Sequence, residues 1–196
     1  MTPQAESILK LFRATGAYLT GHFRLTSGLH SPEYLQCALV LQHPQHAAEL
    51  GGMLAKELRK LAPEPVGLVV SPALGGLIIG HEVARALGAR FIFTERDENK
   101  KMTLRRGFTV TPGEAALVVE DVVTTGGSTR DVVEALRAAG ARPLAAGSIM
   151  DRSGGQAGVG VPRVALVTLQ VAAYDPAQCP LCAQGLPAVK PGSRPA

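Results

Sequence analysis

The sequence predicts an α/β protein built on a doubly wound, mostly parallel sheet flanked by helices. Three observations carry that expectation. Short runs rich in Val, Ile, Leu and Ala at about 66–70, 89–94, 115–119, 143–149 and 163–169 are nearly continuously apolar, as strands covered on both faces are. Helical stretches lie between them, and strand–helix–strand alternation calls for parallel pairing with right-handed crossovers. Two of the strands open into Gly-rich turns, Ser71–Gly76 and Thr124–Ser128, that lead directly into helices.

Taken in order, Thr2-Pro3 with Glu6 resembles a helix start, followed by an apolar stripe of Ile8, Leu11 and Phe12. Gly21 to Leu41 reads as short extended segments broken at Ser27-Gly28 and Ser31-Pro32. Gln45 to Leu61 places Ala47, Leu50, Leu54, Leu58 and Leu61 at spacings of three and four, an amphipathic helix stopped by Pro63-Glu64-Pro65. Val66 to Val70 is a buried strand, then comes the Ser71–Gly76 turn and an apolar helix from about Leu77 to Leu87. Ala89 to Thr94 is the next strand. Glu95 to Gly107 follows as the most charged stretch in the chain, holding Arg96, Lys100, Lys101, Arg105 and Arg106 of the 20 Lys and Arg.

Ala115 to Val119 forms a strand, with Glu120 and Asp121 standing where it ends, and Val132, Val133 and Leu136 recur at helical spacing after the Thr/Gly loop. Pro143 to Met150 is a further strand ending in Asp151-Arg152, with a Gly-rich turn to Gly160 and a last strand from Arg163 to Val171. The Pro- and Gly-rich tail carries Cys179-Pro180-Leu181-Cys182. One such pair supplies two ligands and no His follows it, so a zinc site there would require a second chain. A structural staple or a capping turn is the expectation.

Composition narrows the function. The chain has 196 residues, enough for one well-buried domain, and 46% of them are hydrophobic. No apolar run approaches the roughly 20 residues a membrane span needs, and the stretch MTPQAESILKLF lacks a basic region followed by an apolar core. A cytoplasmic protein without membrane contact is therefore expected. The formal charge is +4, but the basic residues form no long run and only three Tyr and five Phe could stack on bases, so an anionic small substrate is expected rather than nucleic acid. Three cysteines, Cys37, Cys179 and Cys182, are too few for a disulfide framework.

The Thr124–Ser128 loop has the chemistry of a phosphate cradle. A loop entering a helix presents unpaired N–H groups at the positive end of the helix dipole, and glycines let that backbone approach an anion. Hydroxyls of Thr124, Thr125, Ser128 and Thr129 add donors. The loop has neither the Lys of a nucleoside-triphosphate P-loop nor a GxGxxG dinucleotide fingerprint. Two acids beside it, Glu120 and Asp121, would repel a bare triphosphate but suit the 2′ and 3′ hydroxyls of a ribose whose 5-phosphate lies in the loop.

The run VVEDVVTTGGST, Val118 to Thr129, resembles the phosphoribosyl-diphosphate (PRPP) motif of type I phosphoribosyltransferases. Phe23, Leu25, Ser27, Gly28, Ser31 and Tyr34 fit the N-terminal hood pattern of the orotate branch of that family. Thr26 stands where many members have a Lys that contacts diphosphate. RRGF at 105–108 and the CPLC tail resemble a thermophile-type branch. The resemblance implies the type I phosphoribosyltransferase fold: a hood at about 1–42, a core at about 43–172 and an irregular tail at 173–196. It implies transfer of the 5-phosphoribosyl group of PRPP to orotate, with Mg²⁺ as cofactor held mainly by PRPP and water rather than by a protein metal site.

By the same resemblance PRPP is bound by Gly75, Arg96, Lys100, Lys101, Glu120, Asp121 and the loop Val122, Val123, Thr124, Thr125, Gly126, Gly127 and Ser128. Lys100, Glu120 and Asp121 are the catalytic candidates. Orotate falls to Thr124, Arg152, Tyr34 and Leu35, with Arg152 on the orotate carboxylate. The charged stretch becomes a flexible lid reaching into the neighbouring subunit of a homodimer; enteric-type members carry a further Lys and a His there, near Asp97 and Met102. A phosphoribosyltransferase for another base, or a non-catalytic PRPP-sensing regulator, are the alternatives.

Overall fold

A computed structural model describes residues 2–25 and 27–191 of the chain, so Thr26 lies outside the described residues. The core is a six-stranded sheet in the order β5-β4-β3-β6-β7-β8. Its strands are β3 (Leu68–Pro72), β4 (Arg90–Arg96), β5 (Met102–Leu104), β6 (Ala115–Val123), β7 (Arg142–Asp151) and β8 (Arg163–Thr168). Every pairing is parallel except β4 with β5. The chain winds outward one way from β3 to β4 and the other way from β6 to β8, so the strand order reverses between β3 and β6. Ligands of open α/β sheets bind outside the carboxyl ends of the strands at such a reversal.

The central strands are apolar on both faces because helices cover both. Val69, Leu117 and Val119 join one core cluster with Leu50, Leu54 and Leu58 of α3 (Pro44–Leu61) and Ile79 and Val83 of α4 (Gly76–Leu87). Their alternates Leu68, Val70, Ala116 and Val118 join a second cluster with Val132, Val133 and Leu136 of α5 (Gly127–Ala138). α1 (Pro3–Ala14) is capped by the Thr2 hydroxyl, which accepts from the Ala5 N–H at 3.2 Å, and buries Phe12 completely.

The N-terminal segment forms an antiparallel hairpin of β1 (Tyr18–Arg24) and β2 (His30–Leu35), followed by the short helix α2 (Cys37–Leu41). Two expectations are corrected here. β2 runs unbroken through Ser31-Pro32, because the register shifts between Thr20 and Phe23 opposite it and the missing N–H of Pro32 disturbs no regular ladder. Cys37–Leu41 is helical rather than extended, with Cys37, Val40 and Leu41 buried at helical spacing that five residues are too few to advertise.

Two further differences concern the site. β6 does not end before Glu120 but continues to Val123, because β7 is long enough to pair Glu120 with Ser148 and Val122 with Met150. The charged stretch is a hairpin in this conformation. β5 returns along β4, and the Asp97 carboxylate accepts from the N–H groups of Asn99 and Lys101, each at 2.9 Å, to hold the turn.

Adjacent glycines in α3 make the helix packing testable. A Cβ on Gly51 would lie 2.5 Å from Glu82 Cβ and 2.9 Å from the Glu82 carbonyl carbon of α4, whereas one on Gly52 meets nothing within 4 Å. Gly51→Ala should therefore destabilise the protein by about 1–3 kcal/mol through overpacking. Gly52→Ala should be neutral or stabilising by up to about 1 kcal/mol through helix propensity. Thermal or urea unfolding of the two variants checks this, and equal effects would refute the close α3–α4 contact.

Candidate active site

Two loops meet at the strand-order reversal. The first leaves β6 through Thr124 and Thr125 and enters α5 at Gly126, whose φ of +78° and ψ of 6° place it in the left-handed region. A Cβ there would also approach Val159 Cγ1 to 2.9 Å, so both backbone and space call for glycine. No side chain caps α5, so the N–H groups of its first turn face the loop without a side-chain acceptor, as an anion site requires. Arg130 braces the loop from outside, donating from Nε to the Gly158 carbonyl at 3.1 Å and from Nη2 to the Thr125 carbonyl at 3.4 Å. Thr124 and Thr125 are exposed at the mouth and Gly127 and Ser128 are half-buried. Val122 and Val123 bear on this loop only through the backbone: Val122 packs on the core, and the buried Val123 accepts from the Arg152 N–H at 2.8 Å.

Because β6 continues past the acids, strand alternation sends the two carboxylates to opposite faces. Glu120 turns toward α5, where the Thr129 hydroxyl donates a hydrogen bond to it. Thr129 is thus spent on Glu120 and does not serve the phosphate loop with its hydroxyl, as its place in the sequence had suggested. Asp121 turns toward α4, where a Cβ on Gly75 would lie 2.6 Å from its Oδ1. Burial pushes the Glu120 carboxyl up to about 7, with the Asp121 charge adding to the rise and the Thr129 hydrogen bond and the Arg96 charge opposing it. Burial also raises Asp121, against two backbone hydrogen bonds.

The second loop follows β3. Ala73-Leu74 is a cis peptide bond, and Gly75 and Gly76 bring the start of α4 against the sheet. A Cβ on Gly76 would lie 2.8 Å from Ser71 Cβ and 3.0 Å from the Val119 carbonyl. Gly76 is therefore a packing glycine, while Gly75 faces Asp121 across the reversal. The Ser71 hydroxyl beneath this loop is buried with no hydrogen-bond partner.

Arg152 emerges from the end of β7. Its neighbour Asp151 is 1% exposed and pairs with Arg163 at 2.8 Å, so the Asp-Arg dipeptide is not an ion pair with itself. The Arg152 Nε is buried with no partner, and its Nη2 donates only to the Glu33 carbonyl at 3.5 Å. The side chain lines a cavity of about 220 Å³ together with Leu25, Ser27, Leu29, Thr124, Thr125, Val171 and Ala173. Tyr34 stands close by, half-buried against Phe23 at 5.8 Å between ring centroids, and its hydroxyl is raised mainly by burial and lowered by the Arg152 charge. Leu35 is not part of this wall by its side chain, which is buried in the main core.

The cations of the charged stretch lie along α5 in this conformation. Lys100 and Lys101 line a groove of about 350 Å³ against the outer flank of α5, with Asp131 and Glu134 opposite. Arg96 pairs with Asp131 at 2.9 Å and donates to the Lys100 carbonyl. Arg96 is still near enough to Glu120 for its charge to act on that carboxyl.

One expectation about the tail is overturned. Cys179 and Cys182 do not lack partners in the same chain, because His22 and His30 of the hairpin lie against them. Both histidines precede the Cys pair by 149 to 160 residues, so no local ligand spacing links them to it.

The sequence matches the phosphoribosyl transferase domain family over residues 38–163. It is 54% identical over 190 residues to an orotate phosphoribosyltransferase of Pelotomaculum thermopropionicum, covering 96% of this chain and 97% of the relative. It is 52% identical over 187 residues to that of Thermotoga maritima, with 95% and 98% covered. Among solved structures, an orotate phosphoribosyltransferase from Aeropyrum pernix superposes with a TM-score of 0.66 at 26% identity, covering 83% of this chain and 94% of the other. An adenine phosphoribosyltransferase of Saccharomyces cerevisiae, at 18% identity and a TM-score of 0.63 with 81% and 99% covered, shares the fold.

The raised Glu120 has a consequence for stability. In the unfolded chain its carboxyl titrates near the ordinary 4.5, and in the folded protein near 7. Both states are protonated below 4.5, so no penalty exists there; the penalty grows between those values and is complete above about 7. Glu120→Gln should therefore stabilise the ligand-free protein at pH 8, by up to about 3 kcal/mol, and change it little at pH 4.5. Unfolding curves at the two pH values test this, and equal shifts would show that Glu120 is not a desolvated acid.

Proposed function

This chain belongs to the orotate phosphoribosyltransferase family, and from that premise we propose that it transfers the 5-phosphoribosyl group of PRPP to orotate, giving orotidine 5′-monophosphate and diphosphate in pyrimidine synthesis. The observation that carries the choice of base is Arg152. A buried guanidinium edge without a carboxylate partner, lining a cavity beside the phosphate loop, is suited to an acceptor with its own carboxylate. A neutral purine offers such a group hydrogen-bond acceptors but no charge to pair with.

In this reading the 5-phosphate of PRPP takes the unpaired N–H groups at Gly126, Gly127 and Ser128, with the hydroxyls of Thr124, Thr125 and Ser128 around it. Glu120 and Asp121 accept from the 2′ and 3′ hydroxyls. Displacing diphosphate builds positive charge on the ribose ring, and two carboxylates fixed beside it stabilise that charge more than the neutral ground state. Glu120, titrating near 7 in the free protein, is drawn to its ionised form by the hydroxyl donors of the sugar. Orotate occupies the Arg152 cavity, with Thr124 and Tyr34 at its edges and Leu35 contributing only through its backbone.

The arrangement suits Mg²⁺. Glu120 and Asp121 are taken up by the sugar hydroxyls, and Mg²⁺ keeps waters and shares substrate phosphates without needing a protein cage. The ion, held mainly by PRPP oxygens and water, would supply charge neutralisation on the departing diphosphate. Gly75 at the second loop lets backbone approach that leaving group. We also propose that the protein works in the cytoplasm as a homodimer. The support for the dimer is the resemblance of the charged stretch to a lid that serves the neighbouring subunit, with Arg96 paired to Asp131 and Lys100 and Lys101 lining a groove along α5 in this chain. Among the described residues no helix is long and apolar enough to cross a membrane.

Mixing the purified protein with orotate, PRPP and Mg²⁺ and following the loss of orotate absorbance tests the activity; exchange with purines instead would overturn it. Arg152→Ala should raise the orotate KM roughly 30-fold or more, the scale of losing one partner of a buried charge pair, and leave PRPP affinity nearly unchanged. Equal loss for both substrates would remove Arg152 from the orotate site. Lys100→Ala should lower turnover about 10²-fold, and hybrid dimers with an Arg152→Ala subunit should regain activity. Hybrids that regain none would show that the lid does not act across subunits.

A further inference from the structure

The tail from 171 to 191 buries a single residue among those described, Cys179. It has no apolar anchor, yet it lies along both strands of the N-terminal hairpin. The Arg24 N–H donates to the Val189 carbonyl at 2.8 Å, the Val189 N–H to the His22 carbonyl at 2.9 Å, and His30 and Tyr174 exchange N–H···O bonds at 2.9 and 2.8 Å. Between these contacts four side chains converge.

His22 Nε2 lies 2.8 Å from His30 Nδ1, 3.5 Å from Cys179 Sγ and 3.8 Å from Cys182 Sγ, and His30 Nδ1 lies 3.3 Å from Cys182 Sγ. All four candidate donor atoms fall within 4.8 Å of one another. His22, His30 and Cys179 are buried and Cys182 is exposed. No disulfide joins the cysteines. We propose that His22, His30, Cys179 and Cys182 form a structural Zn²⁺ site that clamps the tail to the hairpin.

Geometry and chemistry both favour the ion. With Zn–S of about 2.3 Å and Zn–N of about 2.0–2.1 Å, a tetrahedral centre sets N···S edges near ~3.6 Å, and the three short N···S separations are 3.5, 3.8 and 3.3 Å. The N···N separation of 2.8 Å would open by roughly half an ångström to reach the tetrahedral edge. The tautomer of His22 is already set. Its Nδ1 lies 2.7 Å from the Leu186 carbonyl oxygen, which can only accept, so Nδ1 carries the proton and Nε2 presents a bare lone pair to the centre. Two imidazoles with two thiols form a soft, closed set that suits Zn²⁺ and not Mg²⁺. On binding, each thiol gives its proton to solvent, so two protons leave for each ion taken up.

The site has a structural purpose that the fold makes plain. Leu25 and Leu29 of the hairpin and Ala173 of the tail line the same cavity as Arg152, so a clamp between hairpin and tail fixes one wall of that cavity. The proposal does not depend on which base the cavity takes.

Protein purified in reductant, stripped with chelator, reloaded with Zn²⁺ alone and desalted should retain about one ion per chain by elemental analysis. Cys182→Ser and His30→Gln should lose most of it, while Cys182→His, which restores a ligand, should keep it. Loading with Co²⁺ should give a thiolate-to-metal charge-transfer absorption that Cys182→Ser weakens. Wild-type protein that retains no Zn²⁺ after reloading would overturn the proposal whether or not any variant folds. Retention undiminished in a folded Cys182→Ser variant, or a Cys179–Cys182 disulfide in protein kept in reductant, would do the same.

Discussion

Everything at the site depends on holding two carboxylates beside each other at the end of a strand that is buried on both faces. Desolvation raises both acids, and their mutual repulsion adds to the rise of Glu120. The fold tolerates the pair because strand alternation separates the side chains. Glu120 receives the Thr129 hydroxyl on one face, and Asp121 lies against Gly75 on the other. In the proposed reading, a sugar hydroxyl reaching either acid would replace the hydration that folding removed, so substrate would relieve a cost built into the free protein. The pairing of Glu120 with Ser148 and Val122 with Met150 makes this possible by prolonging β6 until both acids sit inside the ladder.

Glycine performs three different tasks around those acids. Gly126 adopts a left-handed backbone so that the chain can turn from β6 into α5 beneath Val159. Gly76 and Gly80 permit contact between α4 and Ser71, the latter because a Cβ would collide with both the Ser71 hydroxyl and the Phe91 ring. Gly75 leaves room for the Asp121 carboxylate. The loops that meet at the strand-order reversal are thus set by what is absent from the side chains, and the donors offered to an anion are backbone N–H groups.

The sheet was legible in the sequence because both of its faces are buried, so the strands lack polar alternation and stand out as apolar runs between helices. The loop from β6 into α5 was legible because its glycines, hydroxyls and acids are contiguous. What escaped was set by partners distant in the chain. The end of β6 depends on the length of β7. The role of Thr129 depends on which face of β6 Glu120 occupies. The helicity of Cys37–Leu41 depends on the core beneath it, and the hairpin form of the charged stretch depends on β5 finding β4. Arg152 illustrates the same limit from the other side. Its sequence neighbour Asp151 suggests a surface ion pair, but β8 brings Arg163 to that carboxylate and leaves Arg152 without one.

The hairpin and tail carry the same reasoning further. Cys179 and Cys182 lie 149 to 160 positions from His22 and His30, and the return of the tail along the hairpin through Tyr174 and Val189 joins them. A segment with one buried residue cannot be held by the hydrophobic effect, and a few backbone hydrogen bonds at an exposed edge contribute little net free energy. Yet the hairpin and the tail together wall the Arg152 cavity, where a loose wall would admit water to compete for the guanidinium. The need for a fixed wall and the lack of apolar surface to fix it meet in one place, and there the chain puts two imidazoles and two thiols.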